Sequence, residues 1–319
     1  MKNSHLLHKA LSLLTNTIII VTLSLAFYIT IPLDVHQKTI TLPKGSVTNI
    51  IRSLQQQGYK LSTIDTYLLV AIGQPKSGTL DIGKGKINRI DFLNRLTSAS
   101  EAIEIITLIP GETRPIFLSD IAKKHQLDFQ KLDGNYSHYS HYQEAGILPD
   151  TYHLPKGIKE ENLIKFLVKQ SEIKYKKLSI QKLGYYTPKS WLPYLIVASI
   201  IQKEAANREE MPIIASVIYN RLKLGMPLQM DGTLNYGKYS HIKVTPERIK
   251  KDTSGFNTYL NTGLPPYPIC SVSLDAINAA ISPIKSDYLY FMKNRSGTHD
   301  FSRTYKEHLR NISRAKKAQ

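Results

Sequence analysis

The residue best placed to do chemistry is a glutamate. Glu204 lies three, four and seven residues after Ile201, Ile200 and Val197, so helical geometry puts its carboxyl group on an apolar face. The helix that must carry it runs over residues 192–206, where Leu195, Ile196, Val197, Ala198, Ile200 and Ile201 are almost continuous. Such a helix is buried on most sides. A carboxyl held there has its charged form disfavoured, which raises its pKa toward the range a general acid needs near neutral pH. A plainer reading pairs Glu204 with Arg208 one turn on. Glu209 and Glu210 sit in a charged stretch and are expected to face solvent, while Glu101, Glu104 and Glu112 are expected to be structural.

Other residues suggest a ligand. A second helix, residues 213–224, carries Asn220 and Arg221 and stops at Gly225. It leads into a loop, residues 226–236, that holds Gln229, Asp231, Thr233, Asn235 and Tyr236. Amides, acids, hydroxyls and aromatic rings together can hydrogen-bond and stack on sugar rings; they can equally be the caps of an ordinary loop. Asn257-Thr258-Tyr259 and Gly263-Leu264-Pro265-Pro266 form another polar and aromatic loop, and Tyr288, Tyr290 and Phe291 alternate as in a strand. A Ser302/His308/Asp300 triad lacks any nucleophile-elbow pattern. His138 and His141 have no carboxylate or cysteine beside them at metal-binding spacing. The single cysteine, Cys270, excludes an intramolecular disulfide and any multi-cysteine metal site.

The 319 residues suggest about two domains, and a 42% hydrophobic content is enough for a core. The net charge of +17 suggests an anionic partner: nucleic acid, membrane or acidic polymer. Residues 11–33 carry no ionisable side chain and are long enough to cross a bilayer. Lys2, Lys9 and the amino terminus before the run, with Asp34 after it, predict a cytoplasmic N-terminus and an exported remainder. The alternative is a cleaved signal peptide, with Ser24-Leu25-Ala26 as the cleavage site, but the apolar run continues past it to Leu33. Export argues against nucleic acid as the partner.

Beyond the apolar run, residues 39–42 read as a strand and Val47, Ile50, Ile51 and Leu54 as a helix ended by Gly58. Residues 87–96 read as a short helix. Residues 103–109 read as a strand, then Pro110-Gly111-Glu112-Thr113 turns into a helix that begins with Phe117, Ile121 and Ala122. This is a weak repeat of strand, turn and helix, or two unrelated units. Residues 129–145 read as a polar loop, and residues 158–180 as a Lys-rich amphipathic helix with Leu163, Phe166, Leu167 and Ile173 inward.

Taken in order, several of these segments resemble the endolytic murein transglycosylase family, the YceG-like or MltG proteins. The resemblance rests on Ala198-Ser199-Ile200-Ile201-Gln202-Lys203-Glu204, Ala215-Ser216-Val217-Ile218-Tyr219-Asn220-Arg221-Leu222 and Gly225-Met226-Pro227-Leu228-Gln229-Met230-Asp231. It continues through Asn257-Thr258-Tyr259, Gly263-Leu264-Pro265-Pro266, Tyr288-Leu289-Tyr290-Phe291 and His299-x-Phe301. The Glu144 to Tyr152 segment is similar to the family's E-G-x-x-x-P-D-T-Y motif, with Ala145 inserted.

The resemblance implies that Glu204, the second acid of an E-K-E signature, is the catalytic acid and base. Gln202 stands in place of the first acid, Gly232 where the family reads proline in D-P-T, Tyr267 where it reads P-G-P, and Ser271-Val272-Ser273 for an N-P-G-like turn. Asn220, Gln229, Asp231 and Tyr259 are the candidates for orienting the sugar and stabilising oxocarbenium-like charge.

The expectation is an α+β protein: a cytoplasmic tail (1–10), a transmembrane helix (11–33), a LysM-like membrane-proximal region (34–143) and a mainly helical catalytic domain (144–319). It would be a single-pass inner-membrane enzyme with its catalytic domain in the periplasm. It would cut the MurNAc-GlcNAc bond inside nascent peptidoglycan strands, leave 1,6-anhydro ends and terminate elongation. No metal or cofactor is implied. Peptidoglycan synthases are possible partners. The alternatives are a non-catalytic wall-binding scaffold, or a two-carboxylate hydrolase using Asp231 or Asp150.

Overall fold

A computed structural model describes the backbone of residues 2–317 and the side chains of residues 6–316. The amino terminus and the Lys2 side chain, used above for orientation, lie outside the described residues. The chain packs as two compact units, residues 1–104 with 153–157, and residues 105–152 with 158–319.

The smaller unit opens with α1 (Lys2–Thr30). Its Leu6–Thr30 segment has a mean hydropathy of 2.0, is not buried within the protein, and is long and apolar enough to cross a membrane. The helix stops at Thr30, short of the expected Leu33, because Pro32 has no N–H and biases Ile31 away from helical dihedrals. Leu33 and Val35 instead enter the core from β1 (Pro32–Val35).

Next come β2 (Thr39–Leu42), α2 (Val47–Gln56), α3 (Thr63–Ile72), β3 (Gly78–Asp81), β4 (Gly85–Asn88) and α4 (Arg89–Ser98). β1 pairs antiparallel with β4 and β2 with β3, Thr39 lying opposite Asp81. In β2, Ile40 and Leu42 are buried and the threonines between them are not, the two-residue period of a half-buried strand. Ser46 caps α2, whose Ile50, Ile51 and Leu54 face inward. The helix expected at 87–96 begins only at Arg89, because Ile87 and Asn88 belong to β4 and the Asn88 side chain accepts the Asp91 N–H at 2.8 Å as an N-cap.

The chain then gives β5 (Ile103–Leu108), α5 (Arg114–His125), α6 (Phe129–Tyr139) and β6 (Asp150–Pro155), with β5 paired to β6. The order strand–helix–helix–strand thus occurs twice, once from β2 to β3 and once from β5 to β6. Residues 129–139, expected as loop, are helical: Asp128 caps α6, and Leu132 and Tyr136, one turn apart, are its buried residues.

The boundary between the compact units falls at residue 104. Residues 105–143 are fastened to the segment that begins at Glu144. Both oxygens of Glu144 accept the Arg114 N–H at the start of α5 at 3.0 Å, and the Gly146 N–H donates to the Tyr136 hydroxyl at 2.8 Å.

The larger unit continues with α7 (Glu160–Leu183), α8 (Pro188–Glu204), α9 (Met211–Lys223), α10 (Pro246–Lys251), α11 (Leu274–Ile281), the antiparallel ribbon β7 (Tyr290–Lys293) and β8 (His299–Ser302), and α12 (Tyr305–Lys317). α7 buries Leu163, Ile164, Leu167, Val168 and Tyr175, while Phe166 and Ile173 are exposed, so its inward stripe is rotated from the expected one. α8 is packed by α9 and α11, and Trp191, Leu195, Ile200 and Ile201 are fully buried with Ile214, Val217 and Ile277. Mixed helices and two-stranded sheets make the fold class α+β as expected.

One buried ion pair organises the smaller unit. Asp65 is fully buried and takes the Arg89 guanidinium at 2.7 Å, the Tyr28 hydroxyl at 2.8 Å and the Ser62 N–H at 2.6 Å. Asp65→Ala leaves the Arg89 cation buried without its partner, and urea unfolding is expected to show a loss of about 3–5 kcal/mol; a loss under about 1 kcal/mol contradicts the assignment.

Candidate active site

α8 positions Glu204 by ending on it. Ala205 is already extended (φ −69°, ψ 132°), so the Glu204 carboxyl leaves a buried helix just where the backbone turns away. The arginine expected as its partner is engaged elsewhere: Arg208 binds Asp275 at 2.7 Å. The adjacent Lys203 ammonium donates to the Ser240 hydroxyl at 2.8 Å. The side-chain oxygen Oε1 of Glu204 instead accepts the Gly232 backbone N–H at 2.8 Å. Loss of water around the carboxyl, with a smaller contribution from the Asp231 charge, pushes its pKa up to about 7 against the pull of the Gly232 N–H. Both the acid and its conjugate base are then well populated near neutrality.

Gly232 fits this place for two reasons. A Cβ there would lie 2.7 Å from Glu204 Oε1 and 2.8 Å from the Lys203 Cβ. A proline at that position would have no N–H to give, so the hydrogen bond requires a residue other than proline. The substitution of glycine within the D-P-T-like motif thus supplies a direct contact to the acid. Gln202, in place of the other acid of the signature, accepts the Ser273 N–H at 3.1 Å where α11 starts, and Ser273 caps that helix.

The cleft in front of Glu204 has a volume of about 460 Å³ and includes Gln229, Asp231, Tyr259, Phe291 and His299 in its lining. Two loops are stitched together to form it. The Gln229 N–H donates to the Thr258 carbonyl at 3.0 Å and the Met230 N–H to the Thr258 hydroxyl at 3.1 Å. Gln229 itself takes a left-handed backbone (φ 52°), a strained conformation for a residue with a side chain. A 3₁₀ turn, Asp231–Leu234, then presents Asp231 and the Gly232 N–H. The Tyr259 hydroxyl donates to the Asp231 carboxylate at 2.7 Å, fixing both groups at the rim.

Four of the five sequence candidates, Glu204, Gln229, Asp231 and Tyr259, therefore share one cleft. Asn220 does not line it. Both amide hydrogens of Asn220 are spent on the carbonyls of Ser286 (2.8 Å) and Tyr288 (3.0 Å), tying α9 to the segment before β7. Its neighbour Arg221 is buried in the cleft wall. Its guanidinium donates to the carbonyls of Leu289 (2.6 Å), Pro227 (3.1 Å) and Leu228 (2.9 Å) and lies over the Tyr290 ring.

Glu210, expected to face solvent, is buried and accepts both the backbone N–H and the ring Nδ1–H of His299 at 2.7 Å. Charged neighbours hid it; the His299-x-Phe301 motif was the available signal. Glu112, expected to be structural, accepts the Thr113 N–H at 2.7 Å and contacts the His241 ring at 2.8 Å.

The remaining possibilities are not assembled. Ser302 accepts from Asn311, Asp300 from Asn294, and the His308 ring stacks on Tyr290. His141 pairs with Glu172 at 3.4 Å, and no group of residues among those described could hold a metal ion. Asp150 lies outside the cleft and binds the Lys174 ammonium at 2.7 Å, which holds its carboxyl below the usual range.

A glutamate with its pKa pushed up to about 7, in an open cleft of about 460 Å³, defines a class of site: one built for general acid and base chemistry. By its match to the family model over residues 40–314, the chain belongs to the YceG-like family. It is 34% identical over 215 residues to an endolytic murein transglycosylase of Bacillus subtilis, covering 64% of this chain and 56% of that protein. It is 29% identical over 285 residues to an endolytic murein transglycosylase of Streptococcus pneumoniae, covering 84% and 48%. The chain thus spans about half the length of these curated relatives. A crystal structure of a YceG-like protein from Listeria monocytogenes matches with a TM-score of 0.55 and 26% identity, covering 85% of this chain and 98% of that one.

Gly232→Ala keeps the N–H but forces the Glu204 carboxyl to move. The Lys203 Cβ must also give way, so urea unfolding is expected to show a loss of about 1–3 kcal/mol, and the Glu204 carboxyl is expected to titrate away from about pH 7. Unchanged stability and titration would show that the close approach does not matter.

Proposed function

We propose that the protein is a membrane-anchored endolytic lytic transglycosylase of peptidoglycan. The observation that carries this reading is Glu204: a carboxyl with its pKa pushed up to about 7, in a cleft that also offers amide, carboxylate and phenol groups. The names of the relatives, which carry this activity, support it. The protonated Glu204 gives its proton to the oxygen joining C1 of N-acetylmuramic acid to the next sugar, and the C1–O bond breaks. The resulting carboxylate takes the proton of the same muramic acid's 6-hydroxyl as O6 bonds to C1. Glu204 ends protonated, ready to repeat, and the products are a free hydroxyl end and a 1,6-anhydro end. One carboxyl suffices for both proton transfers, and no water is consumed.

In this reading the Asp231 carboxylate, held by the Tyr259 hydroxyl, stabilises oxocarbenium-like charge, and Gln229 orients the sugar. Asn220 acts only indirectly, by fixing α9. The helix α1 anchors the chain with its N-terminus in the cytoplasm and the rest in the periplasm, where it acts on nascent strands and ends their elongation. The strand–helix–helix–strand segments serve as LysM-like glycan holders, and peptidoglycan synthases are the natural partners. Residues 34–143 would form the membrane-proximal region and residues 144–319 the catalytic one.

Product ends test this directly. Full-length protein in detergent is expected to release anhydro-muramyl ends from peptidoglycan, and Glu204→Gln is expected to lose at least about a thousandfold in rate. Because the first step needs the protonated acid, the rate should decline above about pH 7. Reducing ends would indicate a hydrolase, in which Asp231 is the second carboxylate; binding without cleavage would indicate a scaffold.

A further inference from the structure

Glu210 and His299 form a pair with no part in the chemistry above, although His299 lines the same cleft as Glu204. Their side chains are each only 8% exposed and meet at 2.7 Å through Nδ1. The Glu210 carboxylate also takes the His299 backbone N–H at 2.7 Å and the Ala206 N–H at 3.2 Å, so ring and backbone are clamped at two points next to the end of α8. Phe291, which also lines the cleft, meets the ring edge-on at 5.3 Å. A carboxylate accepting from Nδ1–H fixes the ring orientation and leaves Nε2 as the ring's other hydrogen-bonding atom. Nε2 has no hydrogen-bond partner among the described residues, yet it is not one of the buried unsatisfied atoms, so it is open to a ligand.

We propose that His299 is a substrate-positioning residue whose Nε2 hydrogen-bonds a hydroxyl of the glycan strand in the Glu204 cleft. Glu210 sets the ring's direction without touching the glycan. A ring clamped through its other nitrogen loses little freedom on binding, which is what an orienting contact needs. The inference rests on the proposed glycan function, so its test separates the two.

The experiment uses full-length protein in detergent carrying Glu204→Gln, with peptidoglycan glycan strands stripped of their stem peptides as the probe. Glu204→Gln should bind the strands, and the ¹⁵N resonance of His299 Nε2 should move on their addition. Adding His299→Ala should weaken binding about tenfold, and His299→Gln, which keeps a hydrogen-bonding group, should weaken it less. Glu210→Ala releases the clamp on the ring and should also weaken binding. Unchanged affinity in His299→Ala, or an Nε2 resonance that stays still while the strands bind, overturns the proposal and leaves the glycan reading intact. No strand binding by Glu204→Gln itself overturns both. Should His299→Ala fail to fold, the Nε2 resonance still decides.

Discussion

Everything at the site depends on keeping one carboxyl in a poorly hydrated place without giving it a cation. A basic chain makes this difficult, since lysine and arginine outnumber acids by 42 to 25. The cations on the chain around it have other partners: Arg208 binds Asp275, Lys203 donates to Ser240, and the Arg221 guanidinium is spent on backbone carbonyls, while Glu204 accepts a neutral donor, the Gly232 N–H. A cation in that position would hold the acid ionised and remove its proton at neutral pH. A fully apolar pocket would raise the pKa so far that the acid would give up its proton poorly. One backbone N–H against desolvation sits between these limits, and an acid that must also serve as base needs that balance.

The rest of the larger unit follows from that placement. α8 must be rigid to its last residue, and burial of Trp191, Leu195, Ile200 and Ile201 between α9 and α11 makes it so. The Gly232 N–H must be held still, and that falls to a loop, ordinarily the most mobile kind of backbone. Here Thr258 grips Gln229 and Met230 from one side, while the Arg221 guanidinium collects carbonyls from the other. Arg221 serves best as an internal brace, because its planar fork reaches three carbonyls at once.

The acid was legible from sequence because helical spacing alone puts Glu204 beside Ile200, Ile201 and Val197. Gln229, Asp231 and Tyr259 were legible as a loop rich in sugar-compatible groups. Asn220 lies in a neighbouring motif but outside their cleft: its helix turns it toward Ser286 and Tyr288, a partnership 66 to 68 residues away in sequence that no local pattern encodes. Glu210 was missed for the same reason, since its partner His299 is 89 residues distant. α6 was hidden because only Leu132 and Tyr136 are buried on it, too few to mark a helical period among so many polar residues. Pro32 was the signal that would have ended the first helix three residues earlier than the apolar run suggested.

The overall charge remains compatible with a carboxylate-bearing wall polymer and an anionic membrane without having singled out either. The more specific claim is the state of one carboxyl group, and it can be observed without substrate. Titration of the Glu204 carboxyl by ¹³C NMR in glutamate-labelled protein, with Glu204→Gln identifying the resonance, should give a midpoint at about pH 7. A midpoint near the ordinary glutamate value of about 4.3 would contradict the account.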